Sequence, residues 1–309
     1  MMKQWKIFLA CATVLALMLS LCACGGNGAP SGETGDNNPN PTVPTDPADE
    51  YEYEVELVGA ELFSDTDGED AIRVYYDFTN NSDSTKSALM ALTVTATQGG
   101  AELVSTYAAF DSEPVAESDY YGMAVRPGVT IRCAEEYKVD PEGGTVTLSV
   151  ERGWFDENPL SFELELDALT APADAFEIAA IADPDWTDSY EDRGTVDDSY
   201  EVFIDNAEVV TGWEDSEILR VYIDFTNNSD EAASFYMATA AFAYQDGVQL
   251  AADYAADAVE EDENYSVEVA PGETIRVTRC FGLRSGSEVE VEIADSMGTT
   301  VAATSYTLE

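Results

Sequence analysis

The chain has 309 residues, which is room for two domains of about 150 residues each. Its 62 acidic and 13 basic side chains give a formal net charge of −49, and a surface this negative repels nucleic acids, because binding phosphate needs Lys or Arg. The absence of histidine excludes the Ser-His-Asp triad, the Cys-His pair and His-ligated zinc. Hydrophobic residues make up 45% of the chain, so the acidity indicates a charged, solvated surface on a globular protein.

Residues 1–23 have the features of a bacterial lipoprotein signal peptide. Lys3 and Lys6 precede the uncharged, mostly apolar run Ile7–Leu21, which is shorter than the roughly 20 apolar residues of a membrane span. The segment ends in Leu-Cys-Ala-Cys, and its last residue, Cys24, is the predicted attachment point for diacylglycerol (diglyceride) and palmitate, because a thioether needs a sulfur nucleophile. The alternative is ordinary secretory cleavage, in which Cys24 is incidental. Lipidation predicts a protein anchored on the extracellular face of the bacterial cell membrane.

Residues 24–50 are a predicted disordered tether. They consist largely of Gly, Asn, Pro, Thr and Asp, so they cannot bury a hydrophobic core. Four prolines stiffen the tether towards polyproline II and make it a semi-rigid spacer.

One stretch of sequence occurs twice. Arg73–Asp83 reads Arg-Val-Tyr-Tyr-Asp-Phe-Thr-Asn-Asn-Ser-Asp, and Arg220–Asp230 differs from it at one position. Matches continue on both sides of this stretch, which indicates an internal duplication. We therefore predict repeat 1 over residues 51–168 and repeat 2 over residues 200–309. Between them, residues 169–199 are predicted to be an acidic linker with room for a short helix.

The duplicated stretch has the period of a half-buried antiparallel strand. Apolar residues alternate with polar ones, and the Asn-Asn-Ser-Asp end predicts a turn because Asn and Asp bond their own backbone. Gln98-Gly99-Gly100 and Gln245-Asp246-Gly247 predict hairpin turns. Further strands are predicted in repeat 1 at Tyr53–Phe63, Leu89–Thr97, Val129–Val139, Val146–Val150 and Phe162–Leu166, and in repeat 2 at the matching positions, ending with Val301–Leu308.

The predicted fold class is all-β, with two tandem immunoglobulin-like antiparallel β-sandwich domains after the signal peptide and tether. About seven short strands per repeat, frequent turns and no long amphipathic helix support it. One segment has no assignable inward face, since the bulky residues of Leu89–Thr97 and of its match Tyr236–Tyr244 fall on opposite parities.

Three motifs occur in the same order in both repeats. They are Asp-Phe-Thr-Asn-Asn-Ser-Asp, Gln-(Asp/Gly)-Gly-x-x-Leu and Pro-Gly-x-Thr-Ile-Arg. This pattern resembles an immunoglobulin-like domain of Gram-positive bacterial lipoproteins, domain of unknown function 5067. The resemblance covers Tyr200–Glu309 well and Tyr53–Leu166 less cleanly, because Arg152–Pro159 looks like an insertion. It implies fold and location, and it brings no catalytic or ligand residues.

An acidic loop is a weak calcium candidate. Asp65, Asp67, Glu69 and Asp70 alternate around a glycine as in the start of a calcium loop, but the distant bidentate Glu is missing. The competing interpretation is an acidic hairpin loop without a metal.

The two cysteines after Cys24 occupy non-equivalent positions. Cys133 lies on the apolar parity of its strand, as a core residue would, whereas Cys280 lies on the opposite parity. An inter-domain disulfide is the alternative for this pair.

The polar side of the duplicated strand is a candidate partner face. It comprises Arg73, Tyr75 and Asp77 in repeat 1 and Arg220, Tyr222 and Asp224 in repeat 2. Each Arg either pairs with carboxylates on a neighbouring strand or belongs to a binding surface that both repeats share.

The composition and motifs favour a non-catalytic role without cofactors. We expect a surface module for adhesion, ligand binding or envelope assembly, whose partners are the membrane, through the lipid on Cys24, and an extracellular protein or glycan, with no nucleic acid. Tyr120, Tyr121 and Tyr190 are candidate loop aromatics for ligand contact. The alternative is an enzyme or enzyme inhibitor built on carboxylates, which would need a cleft with acids of perturbed pKa.

Overall fold

The alternation of apolar and polar residues produces two antiparallel β-sandwiches, one in each repeat. The computed structural model describes residues 51–108, 116–154, 156–173, 176–178 and 189–308. The predicted signal peptide, the tether and Cys24 lie outside the described residues, as does the middle of the predicted linker. Among the described residues, no helix has the length and apolar character needed to span a membrane.

The elements of repeat 1 are β1 (Tyr53–Ser64), β2 (Asp70–Asn80), β3 (Lys86–Ser87), α1 (Ala88–Ala91), β4 (Leu92–Gln98), β5 (Ala101–Glu102), α2 (Ala116–Tyr120), β6 (Ala124–Val125), β7 (Thr130–Lys138), β8 (Val146–Arg152) and β9 (Leu160–Leu164). A three-stranded sheet, in the order β1-β2-β7, packs against a four-stranded sheet in the order β5-β4-β8-β9. A short pair, β3 and β6, lies beside them.

Repeat 2 has the same plan, and its first sheet gains one strand from the predicted linker. The elements are β10 (Arg193–Val196), β11 (Tyr200–Thr211), β12 (Glu217–Asn227), α3 (Phe235–Ala238), β13 (Ala240–Gln245), β14 (Val248–Gln249), β15 (Thr274–Gly282), β16 (Val289–Ala294) and β17 (Thr300–Tyr306), with 3₁₀ turns at Trp213–Asp215 and Glu260–Ser266. Because β10 pairs with β11, ordered structure of the second domain starts before residue 200.

The core of each repeat consists of the apolar positions that the alternation predicted. In β2 these side chains are completely buried: Ile72, Val74, Tyr76 and Phe78. Their equivalents in β12 are equally buried: Leu219, Val221, Ile223 and Phe225. Both repeats carry an irregularity at the same place in the first strand, between Leu57 and Gly59 and between Ile204 and Asn206.

The predicted strand Leu89–Thr97 was wrong at its start, where α1 forms a helical turn and β4 begins only at Leu92. The equivalent turn in repeat 2 is α3. In a helical turn the inward positions are three residues apart, so Ala88 and Ala91 are buried while the two residues between them face solvent. The opposite parities of the two copies come from the strands that follow. Leu92 and Ala96 fill the repeat 1 core, whereas Ala241 and Ala243 fill the repeat 2 core and the bulky Tyr244 on the other face packs under Arg126.

The Asn-Asn-Ser-Asp turn is held by the first Asn of each copy, as the turn chemistry predicted. Asn80 Nδ2 donates to the carbonyls of Ser84 (2.9 Å) and Val125 (2.8 Å), and its Oδ1 accepts from Ser82. Asn227 makes the same set of bonds in repeat 2. This part of the duplicated motif is therefore structural.

The two predicted hairpin turns are confirmed. Asp246 and Gly247 have positive φ angles of 51° and 73°, which is the left-handed geometry of a two-residue hairpin turn. Gln245 fixes the neighbouring loop, because its Nε2 donates to the carbonyls of Ser285 (3.0 Å) and Ser287 (2.9 Å).

The two repeats are joined by a continuous six-stranded sheet in the order β17-β16-β13-β14-β6-β3. Val248 of repeat 2 pairs with Val125 of repeat 1 and belongs to the repeat 1 core. Beside this pair, Arg126 Nε lies 2.8 Å from Glu290 Oε2, and its guanidinium carbon lies 3.9 Å from the centroid of the Tyr244 ring. A buried charge pair and a short strand pair therefore define the junction.

Candidate functional site

The candidate partner face of repeat 1 is built from cross-strand ion pairs. Arg73 lies between Glu61 on β1 (Nη1–Oε1, 3.0 Å) and Glu136 on β7 (Nε–Oε1, 2.7 Å). The Tyr75 hydroxyl also donates to Glu61, at 2.7 Å. Only 6% of Arg73 and of Tyr75 is exposed, so these two side chains offer a partner almost no surface.

The equivalent face of repeat 2 has the same bonds but is more open. Arg220 lies 3.3 Å from Glu208 and donates to a backbone carbonyl, and Tyr222 donates to the same Glu208 at 2.7 Å. Asp224 accepts from Arg276 at 2.7 Å, as Asp77 does from its counterpart Arg132 in repeat 1. The Arg residues thus pair with carboxylates on neighbouring strands and stabilise the sheets. Partner binding here stays a prediction. The two copies differ at the tyrosine, because Tyr222 keeps some exposed surface whereas Tyr75 is buried.

The acidic loop converges on a lysine. Lys138 Nζ lies 3.0 Å from Asp65 Oδ2, 2.9 Å from Asp67 Oδ2 and 3.0 Å from Glu69 Oε2. Hydrogen bonds to these carboxylates, with that to Asp67 the strongest influence, raise the pKa of Lys138 above its usual range. The ammonium group thus occupies the position between the carboxylates that a calcium ion would need, while Asp70 starts β2. Within the described residues, no group of three or more Cys, Asp or Glu has the geometry to hold a metal.

The same loop positions an exposed tyrosine. The buried Asp65 accepts a hydrogen bond from Thr106 Oγ1 at 2.9 Å and forms a β-bridge with Ala108. The amide of Thr66 donates to the carbonyl of Tyr107 at 3.1 Å. The backbone on both sides of Tyr107 is therefore fixed, whereas its side chain is 76% exposed.

Repeat 2 presents a tyrosine at the equivalent position. Gly212, which matches Asp65, forms a β-bridge with Ala255, and the amide of Ala256 donates to Thr211 at 2.9 Å. The neighbouring Tyr254 is 77% exposed. Each copy thus has an exposed tyrosine, Tyr107 or Tyr254, on a segment that is bridged to the edge of its sheet.

Tyr254 borders an open groove, the repeat 2 cleft, of about 510 Å³. Trp213 lines the same groove and is 68% exposed. The polar lining includes Asp253 and Arg279, and the Arg279 guanidinium carbon lies 4.4 Å from the centroid of the Tyr265 ring. The cleft therefore combines accessible aromatic faces with two acids, Asp253 and Asp262, and one base, Arg279.

Tyr107 borders an equivalent but smaller groove, the repeat 1 cleft, of about 190 Å³. Glu135 lines it at the strand position where repeat 2 has Arg279, since the two residues pair with equivalent valines of β2 and β12. The hydroxyls of Tyr76 (2.7 Å) and Tyr137 (2.5 Å) donate to this carboxylate. Burial raises the pKa of Glu135 above its usual range.

The second acid of the repeat 1 cleft is already bonded on both oxygens. Glu136 Oε1 accepts from Arg73, and Oε2 accepts from the amide of Ala108 at 2.8 Å. A hydrolytic mechanism needs one acid and one available carboxylate across the bond to be cleaved. Among the described residues, Glu135 has the raised pKa that a general acid needs, whereas Glu136 has both oxygens in hydrogen bonds and is not available as the second carboxylate.

Cys133 and Cys280, the two cysteines after Cys24, are free thiols in the structure. Cys133 is completely buried in the repeat 1 core, as predicted, and burial raises the pKa of its thiol far above the usual range. Cys280 is 8% exposed and lines the repeat 2 cleft.

Sequence reasoning did not single out Tyr107 and Tyr254. The available signal was the repeated Tyr-Ala-Ala at the spacing of the duplication, beginning at each of these residues.

Of the aromatics that were predicted, Tyr121 lines the repeat 1 cleft, whereas the ring centroid of Tyr120 lies 5.6 Å from the guanidinium carbon of Arg284. Tyr190 is 39% exposed and lies before β10.

The solved structures to which this chain is similar are distant in sequence. A candidate lipoprotein from Staphylococcus aureus subsp. aureus NCTC 8325 is 15% identical, with a TM-score of 0.30, over 35% of this chain and 83% of the other. A candidate lipoprotein from Bacillus subtilis subsp. subtilis str. 168, ycdA, is 12% identical, with a TM-score of 0.29, over 38% of each chain. None of the curated proteins matches this chain.

The family assignment follows from the sequence of both repeats. The model of the family described as a domain of unknown function, DUF5067, matches residues 30–152 and residues 179–295. The two matched segments correspond to the two β-sandwiches, and together they cover well over half of the chain. The chain belongs to the DUF5067 family and carries the domain in two tandem copies.

Proposed function

We propose that this protein is a non-catalytic binding module held on the extracellular face of a bacterial membrane by a lipid on Cys24. The exposed tyrosine that both clefts retain is the observation that carries the binding function. Tyr107 and Tyr254 are each more than three-quarters exposed, although their backbones are fixed by hydrogen bonds to the sheet edge. A large aromatic side chain kept in solvent on a rigid backbone costs little entropy when it contacts a partner.

The anchor rests on the N-terminal sequence. Positive residues, an apolar run and Leu-Cys-Ala precede Cys24, the residue to be lipidated. More than one acyl chain holds a protein to a bilayer firmly, which a single chain does not.

Metabolic labelling with an alkynyl fatty acid tests the anchor. The wild type and a Cys22→Ala variant are expected to carry the label, and Cys24→Ala is expected to lose it. Retention of the label in Cys24→Ala would refute the proposed attachment site.

Capture of partners from a cell-surface extract tests the binding function. The full chain is expected to retain an extracellular protein or glycan, and a Tyr107→Ala/Tyr254→Ala double variant is expected to lose it. Trp154→Ala is the control, because Trp154 is 89% exposed and lines neither cleft. Equal capture by the double variant and the wild type would exclude the clefts as the binding surface.

A carboxylate-based enzyme is the second candidate, and the raised pKa of Glu135 in the repeat 1 cleft favours it. A hydrolase would release new reducing ends from cell-wall glycans, and Glu135→Gln would abolish that release. No release by the wild type leaves the binding function as the better description.

A further inference from the structure

We propose that the repeat 2 cleft binds a neutral polysaccharide, with Trp213 and Tyr254 as stacking surfaces for its sugar rings. This inference rests on the proposed binding function and names the ligand class for the same cleft.

The shape and the lining of the cleft suit sugar rings. Its volume of about 510 Å³ lies in the range of small-molecule sites, and it is open to solvent. Trp213 and Tyr254 expose most of their surface at its border. The C–H face of a sugar ring packs on the face of such an aromatic ring, while the polar N–H or O–H group of the aromatic side chain stays in water.

The polar groups of the cleft match hydroxyl groups. A hydroxyl both donates and accepts hydrogen bonds, so a saccharide site needs donors and acceptors together. Asp253 supplies an acceptor, and its Oδ1 is oriented by the amide of Tyr254 at 2.7 Å. Arg279 lines the cleft and supplies guanidinium N–H donors.

The charge of the protein selects against anionic polymers. At a net charge of −49, and with Glu260, Glu261 and Glu263 in the 3₁₀ turn beside the cleft, phosphate or carboxylate chains are repelled. A cationic peptide is less suited to the cleft than a sugar, because Arg279 already lies over the Tyr265 ring.

The duplication fits a ligand that repeats. Both clefts lie in one compact unit, Asp49–Glu309, and each presents its own exposed tyrosine. A polymer offers the same sugar unit many times, so a chain long enough to span both clefts would make the second contact intramolecularly. A single globular partner offers no such repetition.

Titration of the full chain in detergent with neutral oligosaccharides tests this proposal. The probes are cello-oligosaccharides and chito-oligosaccharides of increasing length, followed by calorimetry and tryptophan fluorescence. We expect binding that added salt does not weaken, because no charge is neutralised. Trp213→Ala and Tyr254→Ala are each expected to weaken it at least about tenfold. Tyr107→Ala is expected to weaken only the long oligosaccharides.

Two matched variants separate stacking from general effects. Trp154→Ala removes a tryptophan that is 89% exposed outside both clefts, and Met297→Ala removes a side chain of repeat 2 that is 87% exposed and lines neither cleft. Both are expected to bind like the wild type. Unchanged far-ultraviolet circular dichroism and melting temperature show that the cleft variants remain folded.

Three results would overturn the ligand class. They are no binding of either neutral series, equal binding by Trp213→Ala and the wild type, and preferential binding of oligolysine that salt abolishes. If Tyr254-dependent capture from cell-surface extract persists in such a case, the binding function stands and the saccharide assignment falls. If that capture also fails to depend on Tyr107 and Tyr254, both proposals fall.

Discussion

Replacing the first Asn of the duplicated turn is expected to destabilise the two repeats unequally. Asn80 and Asn227 are completely buried and make equivalent hydrogen bonds. The substitutions Asn80→Ala and Asn227→Ala remove these bonds and leave the backbone partners behind. Their cost depends on whether water can replace the lost amide.

The structure sets the two magnitudes. In repeat 2 Ser229 and Glu231 are partly or fully exposed, so water can satisfy them, and Val269 O still accepts from Ala233 at 3.1 Å. We expect Asn227→Ala to cost about 2 kcal/mol, in the range for buried groups that lose a partner. In repeat 1 Ser82 is itself buried and Val125 lies at the junction with repeat 2, so Asn80→Ala should cost about 3 kcal/mol.

Thermal and urea unfolding measure these costs. For a unit of this size, losses of 2 to 3 kcal/mol correspond to a fall in Tm of roughly 4–12 °C. The controls are Asn81→Ala and Asn228→Ala, because these neighbouring side chains are exposed and should change stability by about 0.5 kcal/mol or less. If Asn80→Ala is no more destabilising than Asn81→Ala, the turn is not held by the buried amide and the reasoning fails.

Three further predictions follow from buried polar groups. Arg126→Ala removes the junction ion pair, so calorimetry should resolve two unfolding transitions where the wild type shows one; a single transition would contradict the coupling. The amide of Glu69 and other donors hold the pKa of Asp65 below its ordinary 3.8, so Asp65→Asn should be less stable than the wild type at pH 7. That difference should shrink as pH falls below 3.8, and a constant difference down to pH 2 would refute the linkage. Burial of Cys133 and Cys280 predicts that iodoacetamide labels neither thiol until the protein unfolds. Mass spectrometry that finds either thiol labelled in the native protein would contradict this prediction.

Local chemistry made much of the fold predictable. Period-two alternation identified β2 and β12, and the Asn and Gly residues after the strands identified the turns. The same reasoning failed at α1, because a single helical turn changes the period from two to 3.6 within four residues. A window that short contains too few residues to distinguish the two periods.

The clefts were less predictable than the strands. A lone tyrosine between strands has no periodic signature, and the exposure of Tyr254 depends on a bridge between Gly212 and Ala255. The acidic loop shows the converse. In sequence, Asp65 and Asp67 are either weak calcium candidates or part of an acidic hairpin loop, and in the structure both contact Lys138, which is 71 residues beyond Asp67.

The sequence by itself determined the duplication, the β-sandwich class, the buried strand faces and the turn residues. These properties depend on side-chain alternation and on backbone bonds within a few residues, so they are legible along the chain. The tertiary structure decided the junction and the clefts. Arg126 meets Glu290 across 164 positions, and each cleft forms where a loop bridges to a distant strand. Such contacts arise only when the sheets pack, because the residues that make them carry no local mark of their partners.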